Sequence, residues 1–345
     1  MSLPISTESQ APASAWDGMV ARVSQPRFLI GASLFRICAG LAIVIQYLLN
    51  HAQRRYLFGP EGLWPWDTFA ASMANSATFS VYAWSRSLIW FEACFHLGLL
   101  VSLLWLVGWR TRLTTPLTYV FFWSLHQRFP GIWDGGDNLI HLVLVYAMFA
   151  DVGAWFSLDA KRRASTPVDA HATGARLGGM LHNTAILAFA LQLSLVYGVA
   201  GLYKVQGDVW QDGTAIYHAF RSGQFVWPGF SELLYQNAVV VTLLSHGTVA
   251  FQVAFPFLLF LNRHTRRIAV ALGLTFHLGI ALFLGLITFS LFMASVDVAL
   301  IDDDEYRALG RWLTRLKSRW FPGGSPRMPA AAQALQEQPS EPPLA

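Results

Sequence analysis

The chain has 345 residues, 54% of them hydrophobic and only 13% charged, with a mean hydropathy of +0.41. A soluble chain of this length needs more charge to cover its surface, so the composition excludes a water-soluble globule and reads as a polytopic membrane protein. The net charge of +4 is modest and argues against a nucleic-acid partner; two cysteines, Cys38 and Cys94, both in apolar stretches, make neither a disulfide framework nor a CxxC pair.

The first 27 residues are rich in Ser, Ala and Pro and lack the pattern of a cleavable signal. An apolar crossing takes about 20 residues. In chain order, crossings are predicted over 28–49, 87–107, 113–125, 139–156, 181–203, 233–261, 268–283 and 286–301, the third being the shortest. The last two are separated by Leu284–Gly285 alone, so they are either two spans or one long broken helix. The expected fold is an all-α transmembrane bundle of about eight spans. It sits between a cytoplasmic segment (1–27) and a cytoplasmic C-terminal segment (302–345) whose tail, from Pro322, is disordered.

Charge placement sets the orientation. With the N-terminus in the cytoplasm, 17 of the 24 Lys and Arg fall in cytoplasmic segments, six fall outside, and Arg36 lies within the first span. This is the usual positive-inside bias and predicts a multi-pass protein of the inner (plasma) membrane with both termini cytoplasmic. Arg54–Arg55 is the dissonant outer pair. Residues 126–138 and 204–232 then face outside together.

Leu191–Phe220 passes from an apolar helix into a polar run, and Lys204 stands at the junction. An ammonium beside a bilayer core escapes to the interface, pairs, or loses its proton. Spacing puts Lys204 on one helix face with Tyr197 and Gly201, and Gly198 and Gly201 permit close approach of another helix. Two readings stand: a buried base, or a snorkelling anchor. Asp137 and His141 lie one turn apart after Gly135–Gly136, either as a carboxylate–imidazole pair for proton transfer or as a helix cap and its neighbour. With no third ligand, no metal site is predicted. His277, mid-span, either orients a ligand or ties two helices together. Arg36 needs a carboxylate, a carbonyl or water; Glu92 and Asp297 are the carboxylates on offer. Glu92 and His96 are spaced for a local pair.

Several ordered segments resemble the HTTM family, best known for the vitamin K-dependent gamma-glutamyl carboxylase. They are LFRICAGL, GWRTRL, WDGGDNL followed by FADVGAWFSLDA, VYGVAGLYKVQGDVWQDG and TFHLGIALFLGLITF, together covering about 28–301. The resemblance implies that Lys204 is the base that deprotonates a reduced quinone such as vitamin K hydroquinone. Tyr197 and His277 would lie at the cofactor, and Asp137 and His141 in the catalytic set. Two departures matter. The carboxylase's Asn-His pair falls on Gly135 and Gly136, leaving that role to His126 or His141. The carboxylase's large lumenal region also has no room here. Compact bacterial members of the sporulation-delaying toxin maturation type point instead to a peptide or small secreted protein as the partner. Two functions are therefore expected: a carboxylase-like membrane enzyme, or a non-catalytic partner in peptide maturation or export.

Overall fold

The computed structural model describes residues 15–164, 173–222, 228–229 and 231–320. Residues 1–14 of the N-terminal segment and the expected disordered tail lie outside them. The helices run in the order α1 (Ala15–Ser24), α2 (Leu29–His51), α3 (Arg54–Phe58), α4 (Trp66–Ala74), α5 (Leu88–Leu106), α6 (Thr111–Arg128), α7 (Gly135–Ala147), α8 (Leu158–Arg163), α9 (Thr173–Val205), α10 (Asp208–Gln211), α11 (Ala215–Arg221), α12 (Ser231–Tyr235), α13 (Ala238–Leu261), α14 (Arg263–Leu284), α15 (Ile287–Ala299) and α16 (Asp303–Trp320). The chain divides into one unit ending at Asp303 and a second from Asp304, which among the described residues is the rest of α16. The protein is an all-α, multi-pass membrane bundle.

Among the described residues, five helices are long and apolar enough to cross a membrane: α2, α5, α9, α13 and α14. The other three expected crossings coincide with α6, α7 and α15. In α6 the apolar pattern is broken by Thr111, Thr114, Thr115 and Thr118, which turn inward and are buried. At 13 residues each, α7 and α15 span only about 20 Å. α15 packs against α2, α7, α9 and α14.

Sequence left α14 and α15 as two spans or one broken helix; they are two separate helices, of which only α14 is long enough by itself to cross a membrane. Gly285, at φ +70°, ends α14 in the left-handed region that glycine adopts without strain. Gly273, twelve residues before this turn, faces Asp297, twelve residues after it; a Cβ there would lie 2.8 Å from the carboxylate. The two helices therefore fold back on each other as a hairpin. The expected close approach at Gly201 is also present. A Cβ on it would come within 2.9 Å of the Val253 backbone, so α9 and α13 meet nearly backbone to backbone.

Three of the ordered segments meet at one end of the bundle. Arg36 is fully buried and spends its donors on main-chain carbonyls: Val152 at 3.0 Å, Trp105 at 3.1 Å, Phe156 at 2.8 Å, with Leu106 and Trp155 alongside. It pairs with neither Glu92 nor Asp297. Those carbonyls belong to the end of α5 and to the turn before α8. Asp159 closes the junction, accepting from the N–H of Arg110 (2.9 Å) and from the N–H and hydroxyl of Thr111 (2.6 and 2.8 Å) at the start of α6. The Phe-Arg, Gly-Trp-Arg-Thr-Arg and Ser-Leu-Asp segments thus form a structural clamp. Glu92 instead bridges the dissonant pair, bonding Arg54 at 2.8 Å and Arg55, with His96 at 3.5 Å.

Candidate functional site

The end of α1 and the segment leading into α2 are tied to α9 by Asn183, which bonds the main chain of Val23, Gln25 and Arg27. Lys204 lies 21 residues further along α9, about 30 Å away at 1.5 Å per residue. This matches the thickness of a hydrocarbon core, so Lys204 stands at the end opposite the clamp.

There α9, α11, α13, α14 and α15 enclose a cavity of about 640 Å³. Phe220, Phe276, Phe283 and Phe289 supply most of its aromatic wall, and Lys204, Tyr197, His277 and Gln252 line it. Three of the residues picked from sequence, up to 80 positions apart, are thus brought together. Lys204 is half-buried. Its Nζ lies 5.2 Å from the Trp210 ring centroid and 3.4 Å from the Ala200 carbonyl; among the described residues no carboxylate pairs with it. A cation over an indole face is held electrostatically while its remaining donors stay available.

Behind Lys204 lies a buried polar chain. Tyr197 Oη donates to Asp297 Oδ2 at 3.3 Å and lies 2.8 Å from His277 Nε2. With the phenol proton directed at the carboxylate, Nε2 must donate to the phenol oxygen, which leaves His277 Nδ1 as an acceptor. Buried Nδ1, Gln252 Oε1 and Asp297 Oδ1 have no hydrogen-bond partner among the described residues. Such groups are costly to bury unless something binds them.

Asp137 and His141, read from sequence either as a carboxylate–imidazole pair or as a helix cap and its neighbour, are linked through His126. His126 Nδ1 and His141 Nε2 are 2.9 Å apart, and His126 Nε2 lies 3.7 Å from Asp137 Oδ1. Gln46 donates to the same carboxylate oxygen at 2.8 Å. Asp137 also completes a capping box: Asp134 is the N-cap of α7, and Asp137 Oδ2 accepts the Asp134 N–H at 3.0 Å. Burial, reinforced by neighbouring Asp137, pushes the Asp134 carboxyl above its ordinary value. Gly135 and Gly136 separate this cluster from the cavity. A Cβ on Gly136 would meet the Phe289 backbone at 3.1 Å, and Phe289 packs edge-on to His277 with centroids 5.5 Å apart. The two glycines are therefore where the start of α15 docks on α7.

Asp297, Gln252 and Trp210 escaped the sequence reading as site residues. Asp297 carried a usable signal: it is a lone carboxylate inside an apolar span, which is a functional candidate by default. Gln252 and Trp210 carried none, since their place depends on how α13 and α10 fold over α9.

The HTTM domain family matches residues 32–302. Two Bacillus subtilis (strain 168) proteins are similar. Uncharacterized protein YitO is 25% identical over 202 residues, 57% of this chain and 62% of its own length. Sporulation-delaying protein SdpB is 23% identical over 232 residues, 66% of this chain and 69% of its own. The matched region thus spans less than two thirds of YitO. No solved structure matches the chain.

Proposed function

This chain belongs to the HTTM-domain family, and on that premise we propose that the Lys204 cavity is an outward-facing site for a lipophilic ring ligand of the reduced-quinone type, serving modification of a peptide. The observation that carries this reading is the convergence of Lys204, Tyr197 and His277 on one apolar cavity. The lining fits such a ligand: aromatic walls for the ring, an amine at the mouth, and His277 Nδ1 and Gln252 Oε1, without a partner among the described residues, to accept hydrogen bonds from ligand hydroxyls. When bound, a reduced quinone supplies the redox chemistry that side chains lack.

The chain's own residues bind, orient and move a proton. Lys204 Nζ, as free amine, takes the proton of a ligand hydroxyl; Trp210 then faces the resulting ammonium. Tyr197, fixed between Asp297 and His277, holds the imidazole in one tautomer. Phe276, Phe283 and Phe289 keep water from the inner part of the cavity. The orientation goes with this reading: about eight crossings in the plasma membrane, a transmembrane domain over 28–301, and cytoplasmic segments 1–27 and 302–345. Purified protein in nanodiscs should bind vitamin K hydroquinone under reducing conditions, and Ala219→Trp, which fills the cavity, should abolish binding. Equal binding by both proteins would remove the quinone from this site.

A second reading is favoured by Gly135–Gly136. Where the carboxylase carries Asn-His, these glycines pack on Phe289 and leave no side chain to act. Similarity to a sporulation-delaying protein supports a partner in peptide maturation without carboxylation. If a neighbouring gene encodes a small secreted peptide, co-expression with it separates the two. A mass change in the peptide supports the enzyme; export without one supports the partner.

A further inference from the structure

The described part of the C-terminal unit is a helix with two opposed faces. Leu309, Leu313, Leu316 and Trp320 recur at 309, +4, +7 and +11 and fall on one side of α16, with Trp312 at its edge. All five are exposed to roughly half or more of their surface except Leu316, at 37%. Arg307, Arg311 and Arg315, spaced by four, fill the opposite side. Lys317 flanks the apolar face. A basic amphipathic helix with Trp and Leu on its other side has the composition of one that lies in a membrane interface.

Connectivity names the occupant of that face. α15 ends at Ala299, and α16 begins at Asp303. Four residues reach at most about 14 Å, so the first turn cannot leave the membrane edge. Asp303 is moreover held at the start of α2, its carboxylate accepting the N–H groups of Leu29 and Ile30 at 3.1 and 2.7 Å. We propose that α16 is an interfacial anchor lying along an anionic phospholipid surface, its Leu and Trp side in the acyl boundary and its arginines at the headgroups. Basic juxtamembrane segments are drawn to anionic leaflets, and an 18-residue helix lays about 27 Å of contact along one. This inference stands apart from the quinone reading.

The test uses the full chain in liposomes of phosphatidylcholine with phosphatidylglycerol, and of phosphatidylcholine alone. In a Cys38→Ala, Cys94→Ala background, nitroxides at Leu309→Cys, Leu313→Cys and Leu316→Cys should collide several-fold more with oxygen than with an aqueous nickel chelate. Arg307→Cys, Arg311→Cys and Arg315→Cys should show the reverse. Equal access of the chelate to both faces overturns the proposal. So does shielding of the leucine face from both reagents, which would mean a second copy or a protein partner. Wild-type protein gives an independent reading: trypsin cleavage after Arg311 and Arg315 should slow several-fold when phosphatidylglycerol is present. Equal rates in both lipids would overturn the anionic preference.

Discussion

Replacing Arg36 by Met should destabilise the bundle without touching the cavity. The guanidinium joins the end of α5 to the turn preceding α8 through carbonyls of Trp105, Leu106, Val152, Trp155 and Phe156. Methionine matches much of the volume but supplies no donor, so these buried carbonyls lose their partner. Bonds from a charged donor are worth about 1.5–3 kcal/mol each, and losing one side of a buried charged arrangement costs roughly 3–5 kcal/mol overall, because such bonds do not add. At about 2 °C per kcal/mol for a chain of this size, the apparent melting midpoint in detergent should fall by roughly 6–10 °C. Arg36→Lys should fall between, since an ammonium has three donors at one point and cannot span five carbonyls. The assay is the monodisperse fraction remaining after stepwise heating. A midpoint for Arg36→Met within about 2 °C of wild type would refute the clamp.

Asp159 gives a pH dependence. Burial alone would raise its pKa, but bonds from Thr111, Arg110 and Arg162 outweigh it and hold the carboxyl below its ordinary value. A depressed folded-state value means the stabilisation is present above the unfolded carboxylate range and is lost as pH falls through the folded value. Asp159→Asn should therefore be less stable than wild type near pH 7, with the gap closing as pH falls below about 4; a gap that widens on acidification would contradict this. Gly201→Val should weaken the α9–α13 contact by roughly 1–3 kcal/mol, seen as a lower melting midpoint, and an unchanged midpoint would mean that the helices do not meet as described. Asp137→Asn keeps a capping side chain, so it should preserve folding; if the His126–Asp137 contact moves protons, activity should nevertheless fall. Cysteines at Ala164 and Ser222 should react with an impermeant maleimide from opposite sides, and labelling from one side would sink the eight-crossing topology.

Much of the bundle was legible because apolar length and helical period act locally. The face shared by Tyr197, Gly201 and Lys204 followed from spacing alone, and Gly201 does meet α13. Pairing across the bundle was not legible. Arg36 met carbonyls rather than the carboxylates offered to it, because a guanidinium at a helix end finds backbone acceptors that no sequence pattern marks. Asp297 stood as one of two carboxylates that Arg36 could have met, and sequence could not choose between them; the α14–α15 hairpin carries it to Tyr197. The Asp137–His141 spacing was correct, but the intervening His126 comes from α6, fifteen positions before His141. The resemblance was carried partly by residues that build the clamp, which is why it spoke more firmly about fold than about chemistry.

The central claim is that Lys204 works as a base within its cavity, and one comparison tests it most directly. Wild type, Lys204→Arg and Lys204→Ala are assayed in nanodiscs at equal abundance for oxygen-dependent turnover of vitamin K hydroquinone. Arginine keeps the positive charge and can still lie over Trp210, but it does not give up its proton at neutral pH. General-base catalysis contributes about 10²–10⁴-fold, so both variants should lose at least about a hundredfold while the arginine variant still binds the ligand. A Lys204→Arg protein that turns over at the wild-type rate would contradict the account and leave Lys204 an interfacial anchor.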